Sequence, residues 1–492
     1  MPMTGLKRRN RSMYDVIIIG AGVSGSAIAR ELSRYELNVC VLEKEVDVCC
    51  GTSKANSGIV HGGYDAEFGT LKAKLNKRGN DLMEELCQKL DVPFVRNGSL
   101  VVATEEKGIE KLEALLENGQ KNGVEGLRII DAKELKEMEP NISDTAVAAL
   151  WVPTGGIVCP FELNLGMAEN AHANGVEFKF SQKVTRVEKS ENGFVIETES
   201  NGEKNCFEAK LVINAAGVYA DQISHMVSEK EMDIVPRRGD YFLLDKSVGN
   251  HVKSTIFVLP GAYGKGVLVT PTTHGNLLVG PNAIDIEDKE ASNTTLDGLN
   301  LVRSQCETAV KDVPLNKVIT TFAGLRAHEG AGDFIIEETE ENFINCAGIA
   351  SPGLSSCPAI GEYVAQMVCD KSNPVKKAEF IEERKGILKP FELSDDELSE
   401  LIKQNPDYSV VICRCEHVTE GEIREAIRRP LGAKTVDGVK RRTRAGMGRC
   451  QAGFCTPKVM EILAEELGIS MLDVTKNGGD SKMLTGEIKE EL

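Results

Sequence analysis

The stretch that decides the fold is "YDVIIIGAGVSGSAIARELSRYELNVCVLEK", residues 14–44. Its apolar run at 14–20 predicts a buried parallel strand, residues 23–34 predict a helix, and residues 38–42 predict a second strand. Gly20, Gly22 and Gly25 between strand and helix have the G-x-G-x-x-G spacing, which permits a tight turn, close approach to a pyrophosphate and close helix–strand packing. Glu43 ends the second strand, where an acidic side chain binds a ribose hydroxyl. The segment predicts a dinucleotide site and leaves NAD and FAD both open.

The bulk composition excludes several classes of protein. A chain of 492 residues is too long for one core, so we expect two or three domains. The net charge of −17 argues against nucleic-acid binding, which needs a basic surface. No apolar run approaches the roughly 20 residues of a membrane span. Residues 1–12 are basic without a following apolar signal core, and fourteen cysteines then indicate a reducing compartment. We therefore expect a frayed N-terminal extension and a cytoplasmic protein.

Hydrophobic periodicity along the chain predicts the fold class, α/β and α+β multidomain. Helices are expected at 70–90, 105–122 and 358–370, and alternating strands of an antiparallel sheet at about 176–280. Residues 374–408 are charge-rich and predict a linker with one short helix after Ser394. A compact domain of residues 409–475 and a mobile tail of residues 476–492 follow.

Two later glycine-containing segments favour FAD over NAD. They are "LVINAAGVYAD" at 211–221 and "GIASPGLSSCPAIG" at 348–361. If two later parts of the chain also contact the cofactor that the N-terminal motif binds, they need segments of this kind. On these motifs the first 370 or so residues resemble FAD-dependent oxidoreductases of the D-amino-acid oxidase superfamily, specifically the flavin-linked glycerol-3-phosphate and L-2-hydroxyglutarate dehydrogenases. The resemblance implies a Rossmann-like FAD domain built from segments 14–90, 156–220 and 326–373. Segments 91–155 and 221–325 would form an antiparallel-sheet substrate domain.

The same resemblance implies further flavin-site residues. The segment "GTSKANSGIVHGG" at 51–63 would lie along the flavin. The segment "SPGLSS" at 351–356 would place a helix start opposite the flavin pyrimidine, where it would stabilise negative charge on the reduced ring. An ordinary helix cap with a turn is the alternative explanation of this segment. The residues implied are Ser57, Gly58 and His61 at the isoalloxazine, Val184 at the adenine, Gly217 at the pyrophosphate, and Gly353, Leu354 and Ser355 at the helix start.

Three residues are the predicted catalytic groups. Arg326, in "FAGLRAHEGAGDFIIE" at 322–337, resembles the arginine that binds the anionic group of the substrate in both dehydrogenase families. His61 is the leading candidate for base or substrate orienter, with a buried structural histidine as the alternative. Tyr241 and Arg238 would line the pocket from a strand, unless that strand pair is simply exposed. His328 is a weaker candidate, and Lys265 is a possible further phosphate contact.

Four cysteines near the C-terminus predict a metal centre. They lie in "CRCEHV" at 413–418 and "GRCQAGFC" at 448–455, and are Cys413, Cys415, Cys450 and Cys455. The first two are expected on one face of an extended segment, and Cys455 at the start of a helix that begins at Thr456. Zinc sites usually open with C-x2-C, so zinc is the second choice. The segment resembles the bacterioferritin-associated-ferredoxin (BFD) type of domain, which implies a [2Fe–2S] cluster.

A basic run separates the two cysteine pairs. Its cations would raise the reduction potential of an anionic cluster, or would dock an acidic partner protein. The run contains Lys440, Arg441, Arg442, Arg444 and Arg449.

Flavin and cluster together indicate a dehydrogenase that delivers electrons to another protein. The expected reaction is oxidation of a small anionic secondary alcohol, first sn-glycerol 3-phosphate to dihydroxyacetone phosphate. The resemblance implies a second flavoprotein or an iron–sulfur subunit as electron acceptor, and peripheral membrane association through such a partner. The segment "YDAEF" at 64–68 lacks the arginine usual in glycerol-3-phosphate enzymes, which favours L-2-hydroxyglutarate as the alternative substrate. Amine or opine oxidation and a pure electron-transfer subunit also remain open.

Overall fold

The structure is a computed structural model, and it describes residues 13–259, 266–330 and 332–486. Lys265, the predicted N-terminal extension and residues 487–492 of the predicted tail lie outside the described residues. Contacts divide the chain into two compact units. Among the described residues, the first unit comprises residues 13–44 and 49–383, and the second comprises residues 45–48 and 384–486. No described helix combines the length and the apolar character that crossing a membrane requires.

The first unit is a mixed α/β structure. Its strands are β1 (Tyr14–Ile19), β2 (Val39–Leu42), β3 (Ile59–Val60), β4 (Phe94–Val95), β5 (Ser99–Ala103), β6 (Arg128–Asp131), β7 (Ala148–Val152), β8 (Gly156–Val158), β9 (Glu177–Lys179), β10 (Lys183–Ser190), β11 (Gly193–Ser200), β12 (Glu203–Asn214), β13 (Val235–Leu244), β14 (Thr255–Val258), β15 (Val269–Pro271), β16 (Leu277–Val279), β17 (Ile284–Asp285), β18 (Val318–His328), β19 (Ile335–Glu340) and β20 (Phe343–Ala347). Its helices are α1 (Val23–Leu32), α2 (Leu71–Leu90), α3 (Ile109–Lys121), α4 (Ala132–Met138), α5 (Pro160–Ala173), α6 (Ala220–Ser224), α7 (Leu296–Gln305) and α8 (Gly353–Ser372).

The predicted βαβ opening is confirmed and lies at the centre of an eight-stranded sheet. Strand β1 pairs in parallel with β2 on one side and with β12 on the other. The path runs β10–β11–β12–β1–β2–β9, with β20 also on β12 and β19 on β20. Ile17 and Ile18 are fully buried, as a central parallel strand covered on both faces requires.

A second, nine-stranded sheet carries the substrate-side candidates. Its order is β17–β13–β16–β15–β14–β5–β7–β6, with β18 on β13, and its core includes Leu100, Phe242 and Val279. The strands predicted at about 176–280 are present, but they do not form one sheet. The hairpins β10–β11–β12 extend the first sheet, and β13 to β16 belong to the second. A separate small sheet has the order β3–β8–β4.

The second unit is small and mainly helical. It contains β21 (Val411–Cys413), β22 (Val418–Thr419), α9 (Asp395–Gln404), α10 (Glu420–Arg428), α11 (Val436–Thr443) and α12 (Thr456–Leu467). The helix predicted after Ser394 is α9, which begins with a capping box formed by Ser394 and Glu397. Its core includes Ile423, Val439 and Leu463. Residues 475–483, at the start of the predicted mobile tail, fold back as a turn in which Thr475 bridges to Lys482.

Candidate cofactor, substrate and cluster sites

The glycine-rich turn between β1 and α1 has no room for side chains. Gly20 has a φ of +107°, and a Cβ there would lie 2.5 Å from the Ala215 carbonyl oxygen. A Cβ on Gly25 would lie 2.0 Å from the Gly20 carbonyl oxygen. At Gly22 a Cβ would meet only the Ser53 hydroxyl, at 3.1 Å. The turn is thus held close to the chain that follows β12 and presents the start of α1, the arrangement that a dinucleotide pyrophosphate needs.

The other predicted cofactor residues on the first sheet converge on this turn. The Glu43 carboxylate accepts the amide of Ala21 at 2.7 Å, so the acidic group lies directly beside the turn. The Gln182 amide donates to the Glu43 carbonyl oxygen, which places Val184 two residues from that contact, beside a β-bulge in β10. Gly217, with a φ of +59°, opens a short 3-10 turn immediately after the Ala215 contact.

The start of α8 is joined to His61 through its backbone. The His61 amide donates to the Ser355 hydroxyl at 2.7 Å. Ser355 is fully buried, so its side chain connects strand and helix within the protein. The predicted Gly353 and Leu354 form the first turn of this helix, and Ser57 lies half-buried just before β3. Gly58 has a φ of +67°, and a Cβ there would lie 2.7 Å from the Val158 carbonyl oxygen.

The His61 ring lies near the loop that precedes α8 and near strand β14. Its Nε2 lies 3.3 Å from the Ser351 hydroxyl, and its centroid lies 5.6 Å from that of Phe257 in β14. The ring borders a cavity of about 250 Å³ whose lining also includes Lys72 and Asn76. The imidazole is half-buried and partly open to this cavity.

The second sheet presents Arg326 and Tyr241 on one face. In the antiparallel pairing of β13 with β18, Arg237 lies opposite Arg326 and Tyr241 lies opposite Phe322. The Tyr241 and Phe322 rings stack with centroids 4.7 Å apart. Burial raises the pKa of Tyr241, and the charge of nearby Arg326 partly offsets that rise.

The position of Gly324 shows which part of the chain the sheet face that carries Arg326 packs against. A Cβ on Gly324, which shares the face of Arg326, would lie 1.9 Å from the Ala55 carbonyl oxygen. The sheet therefore packs directly on the loop that precedes Gly58 and His61. Nη2 of Arg326 donates a hydrogen bond to the backbone carbonyl oxygen of Asn282 at 2.7 Å, and this bond fixes one edge of the guanidinium.

The prediction that Arg238 lines the same pocket is wrong. Alternate residues of a strand face opposite sides, so Arg238 lies on the face away from Arg326. It is buried there, donates to the Thr295 hydroxyl at 3.0 Å and lies 3.5 Å from the Asp240 carboxylate. His328 does share the face of Arg326, and burial together with Arg237 lowers its pKa.

The four cysteines of the second unit come together as two pairs. The thiol of Cys455 donates to Cys413, and this bond, with backbone N–H groups including that of Gly446, lowers the pKa of Cys413 to about 6. The Cys450 amide and thiol both lie within hydrogen-bonding reach of Cys415. Cys413 is buried and Cys415 is exposed. The expectation of an extended segment is wrong, because residues 414–417 form a turn, whereas the expected start of α12 at Thr456 is confirmed.

The spacing of these sulfurs separates the two metal alternatives. In a tetrahedral zinc site with Zn–S distances near 2.3 Å, all four sulfurs would lie roughly 3.8 Å apart. Here, within the described residues, no three of the four sulfurs lie within 4.8 Å of one another. Two separate pairs fit a two-iron centre with two thiolates on each iron. The residues therefore fit a [2Fe–2S] cluster better than zinc.

The basic run between the cysteines is not an exposed patch, so the expectation that it docks an acidic partner is wrong for two of its arginines. Arg441 and Arg442 are buried and both bind the carboxylate of Asp47. Burial raises the pKa of Asp47, but Arg442 and Arg441 outweigh it and hold the pKa below its usual value. Arg444 binds Glu416 at 2.8 Å.

Sequence reasoning missed two residues that hold the glycine-rich turn and the start of α1. The Ser53 hydroxyl accepts the amide of Val23 at the start of α1, and the Asn164 amide donates to the Ala21 carbonyl oxygen and to the Ser26 hydroxyl. Ser53 lies in the segment at 51–63 that was expected to lie along the flavin, and this position was its only sequence signal for a role near the cofactor. Asn164 gave no signal, since its role depends on the packing of α5 against α1.

Fold and site together define a flavin-dependent oxidoreductase that carries an iron–sulfur domain. A family model described as FAD dependent oxidoreductase (DAO) matches residues 15–367, and one described as BFD-like [2Fe-2S] binding domain matches residues 411–465. The chain belongs to the DAO family of FAD-dependent oxidoreductases, with a BFD-like domain following it. FAD and a [2Fe–2S] cluster are its cofactors, and the predicted fold class is confirmed.

Named relatives extend over most of the chain. A glycerol 3-phosphate dehydrogenase of Caloramator mitchellensis is 53% identical over 483 residues, covering 98% of this chain and 100% of that protein. A glycerol 3-phosphate oxidase of Mycoplasma genitalium is 34% identical, covering 72% of this chain and 94% of that protein. The solved structure of dithionite-reduced L-alpha-glycerophosphate oxidase from Mycoplasma pneumoniae with FAD bound superimposes with a TM-score of 0.71. It is 32% identical and covers 76% of this chain and 98% of that one.

Proposed function

We propose that the protein oxidises sn-glycerol 3-phosphate to dihydroxyacetone phosphate and passes the electrons through its cluster to a partner protein. The observation that carries the proposal is the position of Arg326, a cation on the sheet face that packs onto the loop before His61. The relative from Caloramator mitchellensis, similar along both units, supports glycerol 3-phosphate as the substrate.

Arg326 would bind the anionic end of the substrate. A guanidinium offers paired N–H donors that match phosphate or carboxylate oxygens, and such charge-assisted bonds fix orientation as well as affinity. The Asn282 carbonyl already fixes one edge of this guanidinium, so little side-chain freedom is lost on binding. Tyr241 stacks on Phe322 on the same sheet face as Arg326 and would line the site beside it.

His61 would take the hydroxyl proton of the substrate through Nε2. That nitrogen lies near the Ser351 hydroxyl, while the His61 backbone is held by Ser355, so the ring has a fixed position at the opening. When bound, FAD accepts a hydride and the cluster accepts single electrons. Gly20, Gly22, Gly25, Glu43, Ser57, Gly58, Val184, Gly217, Gly353, Leu354 and Ser355 would hold the FAD. Cys413, Cys415, Cys450 and Cys455 would hold the cluster.

Delivery to a partner protein is supported by the exposure of the cluster segment. Cys415 is exposed, and Phe454, next to the ligand Cys455, is 87% exposed. An exposed aromatic side chain beside a redox centre is the kind of anchor that protein interfaces use. The acceptor would be a second flavoprotein or an iron–sulfur protein.

Anaerobic bleaching of the flavin absorbance tests the substrate. Glycerol 3-phosphate is expected to bleach the band of the purified holoenzyme rapidly, and L-2-hydroxyglutarate is expected to leave it unchanged. The 2-hydroxy acid is the second candidate because residues 64–68 provide no arginine for a phosphate. Bleaching by L-2-hydroxyglutarate alone would replace the proposed substrate, and bleaching by neither would favour amine oxidation or a pure electron-transfer role.

A further inference from the structure

A second cluster of metal-binding side chains lies in the first unit, apart from the four cysteines. It consists of Cys159, Glu162 and His274, and their ligand atoms all lie within 4.8 Å of one another. Nε2 of His274 lies 3.4 Å from Oε1 of Glu162. Among the described residues this is the one such group of three. The flavin and cluster chemistry described above uses none of the three.

The local structure holds each donor in place. Cys159 follows β8 directly and is the N-cap of α5, and Glu162 lies in the first turn of that helix. His274 lies in the turn between β15 and β16 of the nine-stranded sheet. Hydrogen bonds between Thr272 and Asn276 close this turn, and the Asn276 side chain ties it to the carbonyl oxygen of Leu244. The three donors therefore come from two separately stabilised elements.

The distances and donor types suit a transition-metal ion. Zinc with one thiolate, one imidazole and one carboxylate has bonds of about 2.0–2.3 Å, so tetrahedral ligand atoms lie roughly 3.3–3.8 Å apart. The His274–Glu162 separation has that length already. A thiolate and an imidazole select zinc over magnesium or calcium, which prefer oxygen ligands.

Burial also favours a bound cation. Cys159 is 3% exposed, and the side chains of Glu162 and His274 are 13% and 14% exposed. A divalent cation bound between these three side chains would balance the charge of the thiol and carboxyl groups, which release their protons when they bind a metal.

We propose that Cys159, Glu162 and His274 bind one Zn²⁺ ion, with water in the fourth position. The ion links the start of α5 to the β15–β16 turn and so joins the segment after β8 to the second sheet. It is separate in position and in ligands from the cluster of the second unit, and it does not depend on the identity of the substrate.

Metal analysis of the holoenzyme tests the site. After incubation with zinc sulfate and gel filtration through a buffered chelator, mass spectrometry is expected to find one zinc and two irons per chain. Cys159→Ser and His274→Gln are each expected to lose the zinc and keep both irons. Cys87→Ser is the matched control, since Cys87 is also buried and close enough to interact electrostatically with Cys159, but it lies outside the donor group.

Zinc K-edge absorption of the unmutated protein gives an independent answer that needs no variant to fold. The proposed site predicts one sulfur at about 2.3 Å and nitrogen or oxygen ligands at about 2.0–2.2 Å. A shell of four sulfurs would mean that zinc had entered the cysteines of the second unit. That result, zinc retained in Cys159→Ser, or no zinc after the chelator column would overturn the proposal.

Discussion

Arg237 and Arg326 lie opposite each other on β13 and β18, yet their surroundings give them different roles. Arg237 forms a two-point ion pair with Asp285, at 2.5 and 2.9 Å, near the surface. Arg326 meets only the Asn282 carbonyl among the hydrogen-bond partners found for it in the described residues. Among the described residues, therefore, no carboxylate forms an ion pair with Arg326, which supports the proposal that this arginine binds an anionic substrate.

Arg326→Ala is expected to lower kcat/KM for glycerol 3-phosphate by roughly 10- to 100-fold. A charge-assisted hydrogen bond contributes about 1.5–3 kcal/mol, and about 1.4 kcal/mol corresponds to tenfold. Anaerobic stopped-flow flavin reduction at several substrate concentrations measures the effect. Arg237→Ala is the control, because it removes a cation from the same face whose charge Asp285 already balances. Equal losses in both variants would mean that only the general positive potential matters.

Asp47 holds two buried arginines, and its loss should destabilise the second unit. The carboxylate binds Arg442 through both oxygens, at 2.7 Å each, and Arg441 at 2.6 Å. Removing one partner from a buried ion pair costs about 3–5 kcal/mol because the remaining charge stays buried. Asp47→Asn should therefore lower the urea midpoint at which the cluster absorbance disappears. Asp473→Asn is the control, since Asp473 is exposed and forms a surface pair with Lys482. An unchanged midpoint in Asp47→Asn would contradict this role.

The tight glycine turn and the approach of the four cysteines to one another could be predicted at the residue scale, but the surroundings of the basic run could not. Gly20, Gly22 and Gly25 follow a spacing that local geometry dictates, so the sequence alone indicates their position. The sequence predicts that Arg441 and Arg442 are exposed, and the acidic residue near them in sequence, Asp437, binds Lys476 and not these arginines. Their partner, Asp47, is 394 and 395 residues away, and only the folded chain brings it to them.

At the scale of elements, α10 begins with a buried carboxyl group. Glu422 accepts hydrogen bonds from the backbone and hydroxyl of Thr419, and it is 5% exposed. Burial raises the pKa of Glu422 to about 7. The folded state therefore favours the protonated form, and the unfolded chain has the ordinary lower pKa. The contribution of Glu422 to the free energy of unfolding is therefore fully present when the pH is below the pKa of Glu422 in the unfolded chain. It is lost as the pH rises through about 7, the pKa of Glu422 in the folded state.

The free energy of unfolding of the second unit should accordingly fall between pH 5 and pH 8, by up to about 3 kcal/mol from this group. Glu422→Gln, which keeps a hydrogen-bond acceptor and cannot ionise, should flatten the dependence. Urea unfolding of the holoprotein at pH 5, 6.5 and 8 measures it. Glu461→Gln is the control, because Glu461 is an exposed residue of α12. This variant should keep the dependence of the free energy of unfolding on pH. A slope that persists in Glu422→Gln would assign it to other groups.

Elements with strong local signals were predicted well. The helices α2 and α3 begin and end within four residues of the predicted ranges 70–90 and 105–122, and α9 follows Ser394 as expected, because periodicity and caps are local properties. The strands at 176–280 were also found, but alternation cannot tell which sheet a strand joins. Their division between two sheets depends on pairing with β1 and β18, which lie far away in sequence.

At the scale of the whole molecule, the two units provide complementary chemistry. The first has a glycine-rich turn, the start of α8, and Arg326 on a covering sheet. The second has two thiol pairs whose spacing fits a two-iron cluster. A flavin changes by two electrons and such a cluster by one, and this difference is the chemical basis of the proposed transfer of single electrons to a partner protein.

The measurement that tests this account most directly is electron paramagnetic resonance of the cluster after anaerobic mixing with glycerol 3-phosphate. If substrate electrons leave through the cluster, the signal of a reduced [2Fe–2S] cluster appears in the unmutated holoenzyme. In Cys415→Ser, the flavin should still bleach while that signal is lost. A bleached flavin beside a cluster that stays oxidised in the unmutated enzyme would contradict the central claim that substrate electrons leave through the second unit.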